Sequence, residues 1–354
     1  MPELTKILII SPDYYGIERS IVRAFERNGL LTYFINARMR QTERVISKIA
    51  RSLPASKKIF NPIIRKILYQ ENLRYRDVAK SLAPSLVLVI KGDSALPETI
   101  KYFKTVLGVP CFSYQWDNPF PTFMGTAGGN NYRDENFNKC AKIYDHIFIF
   151  DKSYVKDAIS RGISNVSYLP LAADDEKFHE IEMLQDERKK FGHEICFVGM
   201  PYENRIQILN ALEGFDVGVY GDYWKRYRHR MTFNYYKGKA YDDMVKKIYC
   251  ASKIVLNINH SQSKQGVNAR TFEIPCCGAF EIVNYVPGLE ELFDLETELV
   301  CYKDVQELRE LASFYLGNEK CRHKIIENGY KRVMRDHLWT KRVKDILIFA
   351  SKYQ

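Results

Sequence analysis

Short apolar runs rich in β-branched residues alternate with segments of helical periodicity along most of the chain. The first run, Lys6–Ser11, is followed by a helical segment that ends at Gly29 and by a second apolar run, Leu31–Asn36. The same order recurs many times further on. Because parallel strands need a helical crossover between them, this rhythm predicts a parallel sheet with helices on both faces. The chain is therefore expected to belong to the α/β class.

The alternation stops once and then restarts, which predicts two domains. Residues 170–186 carry polar and acidic side chains where the rhythm would place an apolar run. A chain of 354 residues with 46% hydrophobic residues can fill two cores. We expect two Rossmann-like, doubly wound parallel-sheet domains facing across a cleft. Their bounds are predicted as residues 1–169, a linker over 170–186, residues 187–335, and a C-terminal helix over 336–354 that can pack back on the first domain.

The sequence gives no sign of a membrane span or of secretion. Its apolar runs are far shorter than the roughly 20 residues that a membrane-spanning helix needs. The first apolar run begins soon after Met1, without the pattern of a signal peptide. The eight cysteines show neither Cys-x-x-Cys pairs nor zinc-ligand spacing, which is typical of reduced, buried thiols. We expect a cytoplasmic protein, with peripheral contact at the inner face of the membrane left open.

The net charge of +10 is concentrated in one stretch. Residues 38–80 hold twelve Lys or Arg against three acidic residues, interleaved with apolar positions at helical spacing. Basic helices with an apolar face bind anionic membranes or anionic acceptors, and they also occur as solvated surface over an ordinary core. These interpretations stay open at this point. No nucleic acid partner is expected, because no recognition module accompanies the charge.

The most informative polar cluster follows the apolar run Ile254–Ile258. A polar loop over 259–266 leads into a predicted helix from Val267, in which Arg270 and Glu273 lie one turn apart. A guanidinium is a good partner for a diphosphate, and a carboxylate can accept both hydroxyls of a ribose. The alternative is an ordinary Arg–Glu ion pair on the helix surface.

Several motifs resemble those of the spore-maturation (CgeB-like) glycosyltransferases. The strongest are NARTFEIPCCG at residues 268–278 and VPGLEELF at residues 286–293. Further matches lie at 116–119 (WDNP), 168–174 (YLPLAAD), 197–199 (FVG) with Arg205, 219–224 (VYGDYW) and 237–241 (KGKAY). The first 80 residues resemble only the generic fold. The resemblance implies the GT-B fold and a glycosyltransferase that uses a nucleotide-diphosphate sugar, with UDP favoured as the nucleotide.

The resemblance also implies roles for individual residues. Glu273 would bind the ribose, and the diphosphate would be held by Arg205, Arg270 and the turn at Gly288. The other residues that it places around the sugar donor are Gly199, Tyr220, Gly238, Tyr241, Asn259, His260 and Asn268. No cofactor is implied beyond the nucleotide sugar, which is a co-substrate.

The catalytic group is less clearly indicated. Retaining enzymes of this fold often carry a glutamate that would fall here at Gln265, which cannot be charged. An inverting reaction needs a general base on the acceptor side. Asp117, after the apolar run Val109–Tyr114, is the first candidate, and Asp13 is the second. The alternative for Asp117 is local turn chemistry, since Asp-Asn-Pro favours a turn by itself.

No Asp-x-Asp follows a predicted strand, so we expect no metal ion. Arg205 and Arg270 would then stabilise the leaving diphosphate. The acceptor is expected to be a glycan, a lipid-linked molecule or a protein. Two other classes stay open: a non-catalytic nucleotide-sugar-binding subunit of a polysaccharide assembly, and a sugar-nucleotide epimerase on the same fold.

Overall fold

The computed structural model describes residues 4–13, 16–37, 57–92, 94–120, 131–232 and 235–353. These residues form two compact units. The first unit takes its described residues from Met1–Pro170 and Thr340–Gln354, and the second takes them from Leu171–Trp339.

Six strands form the sheet of the first unit, in the order β2-β1-β3-β4-β5-β6, and their pairings are parallel. Every residue of the central strand β3 is buried, as expected for a strand that helices cover on both faces. The strands are β1 (Lys6–Ser11), β2 (Leu31–Asn36), β3 (Leu86–Ile90), β4 (Cys111–Gln115), β5 (His146–Ile149) and β6 (Val166–Tyr168).

Five helices in the described part of this unit cross between its strands. The carboxylate of Asp151 caps the fifth by accepting a 2.8 Å hydrogen bond from the Ser153 amide. The helices are α1 (Ile17–Arg27), α2 (Lys57–Leu82), α3 (Pro97–Thr105), α4 (Asn131–Cys140) and α5 (Lys152–Ser160). Helix α2 lies in the predicted basic stretch, whose residues 38–56 are outside the described residues.

The sheet of the second unit also has six parallel strands, in the order β12-β11-β10-β7-β8-β9. The chain proceeds from β7 outward to β9 and then returns to place β10 on the other side of β7. In doubly wound sheets this reversal opens a crevice at the carboxyl ends of the two strands, where ligands bind. The strands are β7 (Ile195–Val198), β8 (Val217–Tyr220), β9 (Tyr236–Gly238), β10 (Ile254–Asn257), β11 (Glu281–Asn284) and β12 (Val300–Tyr302).

The helices of the second half of the chain are α6 (Gln185–Phe191), α7 (Glu203–Asn210), α8 (Asp243–Ala251), α9 (Arg270–Cys276), α10 (Val305–Gly317), α11 (Glu319–Asp336) and α12 (Trp339–Ala350). Short 3₁₀ helices occur at Trp224–Arg230, Pro287–Leu289 and Ser351–Tyr353. Most of α12 belongs to the first unit. There the ring of Phe349 lies 3.9 Å from that of His146, and the Tyr353 hydroxyl donates to the Asp145 carbonyl over 3.1 Å.

The predicted fold class, two doubly wound parallel sheets, is confirmed. The predicted start of one helix at Val267 is wrong, because α9 begins at Arg270. Its first amide is capped by the Asn268 side chain, which keeps the preceding residues out of the helix. Within the described ranges, no helix combines the length and apolar character that crossing a bilayer requires.

Candidate functional site

The loops after β7 and β8 approach each other closely at the carboxyl edge of the second sheet. The Gly199 carbonyl accepts a 2.7 Å hydrogen bond from the indole of Trp224, which anchors the 3₁₀ helix after β8. Gly221 has a φ of +139°, and a Cβ there would lie 2.1 Å from the Gly199 oxygen. Only glycine therefore fits at position 221, and the two loops hold each other in place.

Arg205 ties the loop after β7 to the loop after β10. Its side chain is on α7, is only 4% exposed, and donates from Nη1 to the Met200 carbonyl and from Nη2 to the Ile258 carbonyl, over 3.0 and 2.8 Å. Nε is buried and has no hydrogen-bond partner among the described residues. The guanidinium lies 4.9 Å from the centre of the Tyr202 ring. A positive charge is thus fixed at the point where the strand order reverses.

A second guanidinium, that of Arg270, adds to this positive charge. Burial and the charge of Arg270 lower the pKa of Arg205 to about 9. A guanidinium remains protonated at neutral pH even so, because its intrinsic basicity is very high. In the part of the chain that the structure describes, no hydrogen bond or ion pair engages the Arg270 side chain. Two like charges near one another make this edge suited to an anion.

Glu273 lies one turn after Arg270 on α9 and is half-buried. Burial raises the pKa of Glu273, while the charges of Arg270 and Lys177 act in the opposite direction. Across the described residues, no ion pair joins Arg270 to Glu273, so the alternative of an ordinary surface pair is not what the structure shows. A carboxyl group and a guanidinium are instead both available to a ligand.

A buried hydrogen-bond network fixes the start of α9. The Asn257 amide donates to the Glu281 carboxyl over 2.7 Å and lies 3.1 Å from the Thr271 hydroxyl. The side-chain amide of Asn268 donates to Asn257 Oδ1 over 2.8 Å. Its own Oδ1 accepts the backbone amide of Arg270 over 2.9 Å. Asn268, predicted to line the pocket, therefore has a role inside the protein.

Asn259 and His260 follow β10 at the same edge. The backbone amide of Asn259 donates to the Asn284 side chain over 2.6 Å, and its Oδ1 accepts the Asn268 amide over 3.0 Å. Its Nδ2 is buried and has no hydrogen-bond partner in the described structure. The His260 ring packs edge-on against Tyr202 at 4.3 Å between ring centres. Both residues thus adjoin Arg205 and the start of α9.

The turn at Gly288 packs against the loop that precedes α9. A Cβ at Gly288 would lie 2.0 Å from the carbonyl oxygen of Gln265, so only glycine permits this approach. The structure therefore brings Gly199, Arg205, Asn259, His260, Asn268, Arg270, Glu273 and Gly288 to one edge of the second sheet.

Three predicted residues have other surroundings. The Tyr220 hydroxyl lies 3.0 Å from Nε2 of His193, a residue that precedes β7 and hence lies toward the opposite edge of the sheet.

Tyr241 donates to Asp222, which also forms a 2.8 Å ion pair with Lys239. Gly238 ends β9 beside this cluster, at a φ of +144°. The structure does not bring the hydroxyls of Tyr220 and Tyr241 to Arg270 and Glu273.

The two candidate bases lie in the first unit. Asp117 follows β4 and pairs with Lys91, at 2.8 Å between the ammonium and the carboxylate. Asn118 next to it accepts the Phe120 amide over 2.9 Å, which is the turn chemistry that the sequence offered as the alternative. Asp13, after β1, pairs with Arg19 at 2.9 Å. Each carboxylate is therefore held by a cation at the carboxyl edge of the first sheet.

Asn257, Glu281 and Lys91 were not predicted as site residues. A signal existed for the first two, since a polar residue at the end of a short buried strand needs a hydrogen-bond partner inside the core. Lys91 gave no such signal. The described residues contain no group of three or more His, Cys, Asp or Glu side chains that could hold a metal ion.

Most of the second unit matches a family of known proteins. A family model described as glycosyl transferase-like matches residues 204–348. Spore protein CgeB of Bacillus subtilis (strain 168) is 21% identical over 276 residues, which cover 72% of this chain and 79% of CgeB.

Solved structures resemble the whole chain. Alr3699/HepE of Anabaena, in complex with UDP-glucose, superimposes with a TM-score of 0.64 at 12% identity, over 98% of this chain and 99% of that one. Sucrose-phosphate synthase of Thermosynechococcus elongatus gives 0.65 at 11% identity, over 99% of both chains. At such low identity this likeness shows the fold. Together with the family model and CgeB, it confirms the resemblance that the motifs predicted: the chain is similar to the CgeB-like glycosyltransferases and has the GT-B fold.

Proposed function

We propose that the second unit binds a nucleotide-diphosphate sugar of the UDP type. The chain then transfers the sugar to a glycan, a lipid-linked molecule or a protein, without a metal ion. One observation carries the proposal. Arg205 and Arg270 lie close enough for one to lower the pKa of the other, at the reversal of strand order, and no carboxylate pairs with either among the described residues. A diphosphate supplies the negative charge that this pair lacks.

The two arginines have different parts in this proposal. Arg270, whose guanidinium has no hydrogen bond or ion pair to any residue that the structure describes, contacts the phosphates directly. Arg205 is buried and bonded to two loop carbonyls, so it supports the edge and adds its charge from behind. Glu273, one turn from Arg270, accepts hydrogen bonds from the ribose hydroxyls. The UDP-glucose bound to Alr3699/HepE, whose fold this chain shares, supports the choice of uridine as the base.

Metal independence follows from the same two charges. When the sugar leaves, negative charge develops on the diphosphate, and preorganised cations in a partly dry site stabilise it. Guanidinium groups provide this stabilisation without a divalent ion. Transfer in excess EDTA tests this part, and activity that is lost on chelation and restored by Mg²⁺ or Mn²⁺ contradicts it.

Binding of nucleotides tests the donor site. Thermal unfolding and calorimetry with UDP, CDP, GDP and ADP, all with EDTA, should show stabilisation by UDP. A ligand at 100 times its Kd stabilises the fold by about 2.7 kcal/mol. If none of the nucleotide diphosphates binds, the proposed donor site is wrong.

Product analysis separates the enzyme classes. A glycosyltransferase releases UDP from a UDP-sugar and extends an acceptor, or slowly hydrolyses the sugar without one. A non-catalytic subunit binds the same nucleotide and releases nothing. An epimerase converts one UDP-sugar into another with no acceptor present. Chromatography of the nucleotide products with and without an acceptor extract distinguishes all three.

The basic helix α2 offers a surface for the acceptor in the first unit. Arg65 and Lys66 are exposed on it, together with the apolar side chains of Ile63 and Tyr69, which are 42% and 48% exposed. Cations beside exposed apolar groups favour contact with an anionic or lipid-linked acceptor, or with the anionic membrane that contains it.

A further inference from the structure

A carboxyl group is buried inside the second sheet, beneath the proposed donor site. Glu281 begins β11 and is only 3% exposed. Its Oε1 accepts the 2.7 Å hydrogen bond from Asn257, and its Oε2 is buried with no partner in the described part of the protein. An ionised carboxylate in such surroundings is unfavourable, because burial removes its hydration and no cation pairs with it among the described residues. Burial accordingly raises the pKa of Glu281 to about 8.

The carboxyl group is connected to the start of α9 through two asparagines. Nδ2 of Asn268 donates a 2.8 Å hydrogen bond to Oδ1 of Asn257. Oδ1 of Asn268 in turn accepts a 2.9 Å hydrogen bond from the backbone amide of Arg270. The chain of contacts ends at Arg270, the residue whose guanidinium is assigned to the phosphates, one turn before Glu273. These hydrogen bonds link Glu281 to the proposed nucleotide contacts without Glu281 touching the nucleotide.

We propose that Glu281 is a positioning residue for the sugar-donor site: through Asn257 and Asn268 it fixes the start of α9, and it supports nucleotide binding only while it is uncharged. The inference rests on the proposed function of the second unit, and it goes beyond that proposal by making donor binding dependent on a buried acid.

The charges around Glu281 determine the direction of the pH dependence. Arg270 and Glu273, both on α9, face Glu281, and Asn257 on β10 is its hydrogen-bond partner. Ionisation of Glu281 places a negative charge beside Glu273 and attracts Arg270, which leaves less positive charge for the diphosphate. Bound diphosphate, being negative, favours protonated Glu281. The affinity for UDP should thus be constant below the pKa of Glu281 and fall as the pH rises through about 8.

Calorimetric titration of UDP between about pH 7 and 9 tests this inference, since the terminal phosphate of UDP, with a pKa of about 6, is largely ionised over this range. One linked proton limits the loss of affinity to about tenfold per pH unit. We expect the Kd of the wild type to rise several-fold over this range. Glu281→Gln keeps an acceptor for Asn257 and cannot ionise, so its Kd should match the wild type at pH 7 and rise clearly less than that of the wild type toward pH 9, where Arg205, with its pKa lowered to about 9, begins to lose charge in both proteins.

Two further variants separate positioning from general destabilisation. Glu281→Leu removes the acceptor and should raise the Kd at least tenfold at every pH. Ile282→Ala, next on the same strand and fully buried, makes a cavity without touching Asn257. It should lower the melting temperature and leave the Kd unchanged.

The outcomes are distinct for the two proposals. If the wild type binds UDP and Glu281→Gln shows the same loss with pH, the inference is overturned while the donor site stands. The same holds if Glu281→Leu binds UDP as the wild type does. If the wild type binds no nucleotide diphosphate at any pH, the proposed function is overturned and the inference with it.

Discussion

The ammonium group of Lys91 lies 2.8 Å from the carboxylate of Asp117, and the two residues follow the neighbouring strands β3 and β4. Lys91 has a φ of +65°, a left-handed conformation that costs a residue other than glycine about 1 kcal/mol or more. The ammonium next to the candidate base thus belongs to a residue with a strained backbone. The Asp117 side chain is 41% exposed, and the ion pair restricts the rotamers that its carboxylate samples.

Replacing Lys91 by glycine should separate stability from activity. Lys91→Gly removes the strain, which stabilises the folded state, and it adds chain entropy to the unfolded state, which lowers the free energy of unfolding. The two effects nearly cancel. We expect a free energy of unfolding within about 1 kcal/mol of the wild type. The kcat of transfer should fall at least tenfold, because Asp117 loses its fixed orientation, while calorimetry should give an unchanged Kd for UDP.

Two companion variants test whether the charge of Lys91 matters. Lys91→Met keeps the length of the side chain and removes the charge, so it should lose activity as the glycine variant does. Lys91→Arg should recover most of the transfer. Full activity of Lys91→Met would show that the ion pair does not position the base.

Removing the candidate base gives a more direct test. Asp117→Asn should lower kcat by about 10²- to 10⁴-fold, the usual contribution of a general base, and leave UDP binding intact. Asp13→Asn is the matched control, since Asp13 is also an ion-paired aspartate after a strand of the first sheet. If transfer is lost in Asp13→Asn and kept in Asp117→Asn, the order of the two candidates is reversed.

Local sequence patterns were enough to predict the fold class and the central strands. Strand β3 is a run of five apolar, mostly β-branched residues that are all buried, and this composition is what the core of a parallel sheet requires. Strand β9 was not predicted, because its three residues, Tyr236–Gly238, are only partly buried at the sheet edge and carry no apolar run. A short edge strand is defined by its neighbour, not by its own composition.

Long-range contacts explain what the sequence analysis missed at the site. Arg270 and Glu273 could be identified because a single helical turn relates them. The hydrogen bond from Asn257 to Glu281 joins residues 24 positions apart, on adjacent strands, and no local pattern records it. The helix start was misplaced for the same reason, since the Asn268 side chain that caps it is itself oriented by Asn257.

The two arginines of the second unit should respond differently to the same substitution. Arg270→Met removes a side chain without hydrogen bonds in the described structure, so stability should be unchanged while UDP binding weakens by about 1.5–3 kcal/mol. Arg205→Met also breaks two bonds to buried loop carbonyls and should cost about 2 kcal/mol of stability in addition. Urea unfolding and calorimetry on both variants check this contrast. Equal loss of stability would contradict the separate parts assigned to them.

Glu273→Ala tests the ribose contact of the donor site. The side chain makes no ion pair or hydrogen bond that the described structure records, so its removal should leave the free energy of unfolding nearly unchanged. The affinity for UDP should fall by about 1–3 kcal/mol, and the affinity for pyrophosphate, which has no ribose, should stay the same. An equal loss for UDP and pyrophosphate would mean that Glu273 acts on the phosphates and does not bind the sugar ring.

Charge reversal on α2 tests the acceptor side. Arg65 and Lys66 are exposed. The double variant Arg65→Glu/Lys66→Glu should lower transfer to an anionic or lipid-linked acceptor. It should leave UDP binding and hydrolysis of the UDP-sugar intact. Flotation with vesicles of neutral and of anionic phospholipid gives a second readout. Binding to the anionic vesicles should decrease with salt, since exposed charges are screened beyond about 8 Å at physiological ionic strength.

The control for this experiment is the double variant Arg74→Glu/Lys80→Glu. It reverses the same number of charges at two exposed side chains farther along α2, away from Ile63. It changes the net charge by the same amount, so a non-specific effect of charge would lower transfer and vesicle binding in both double variants. A loss confined to Arg65→Glu/Lys66→Glu locates the contact near the exposed apolar side chains. If neither variant changes transfer and the wild type does not bind anionic vesicles, the exposed basic residues of α2 are ordinary solvated surface.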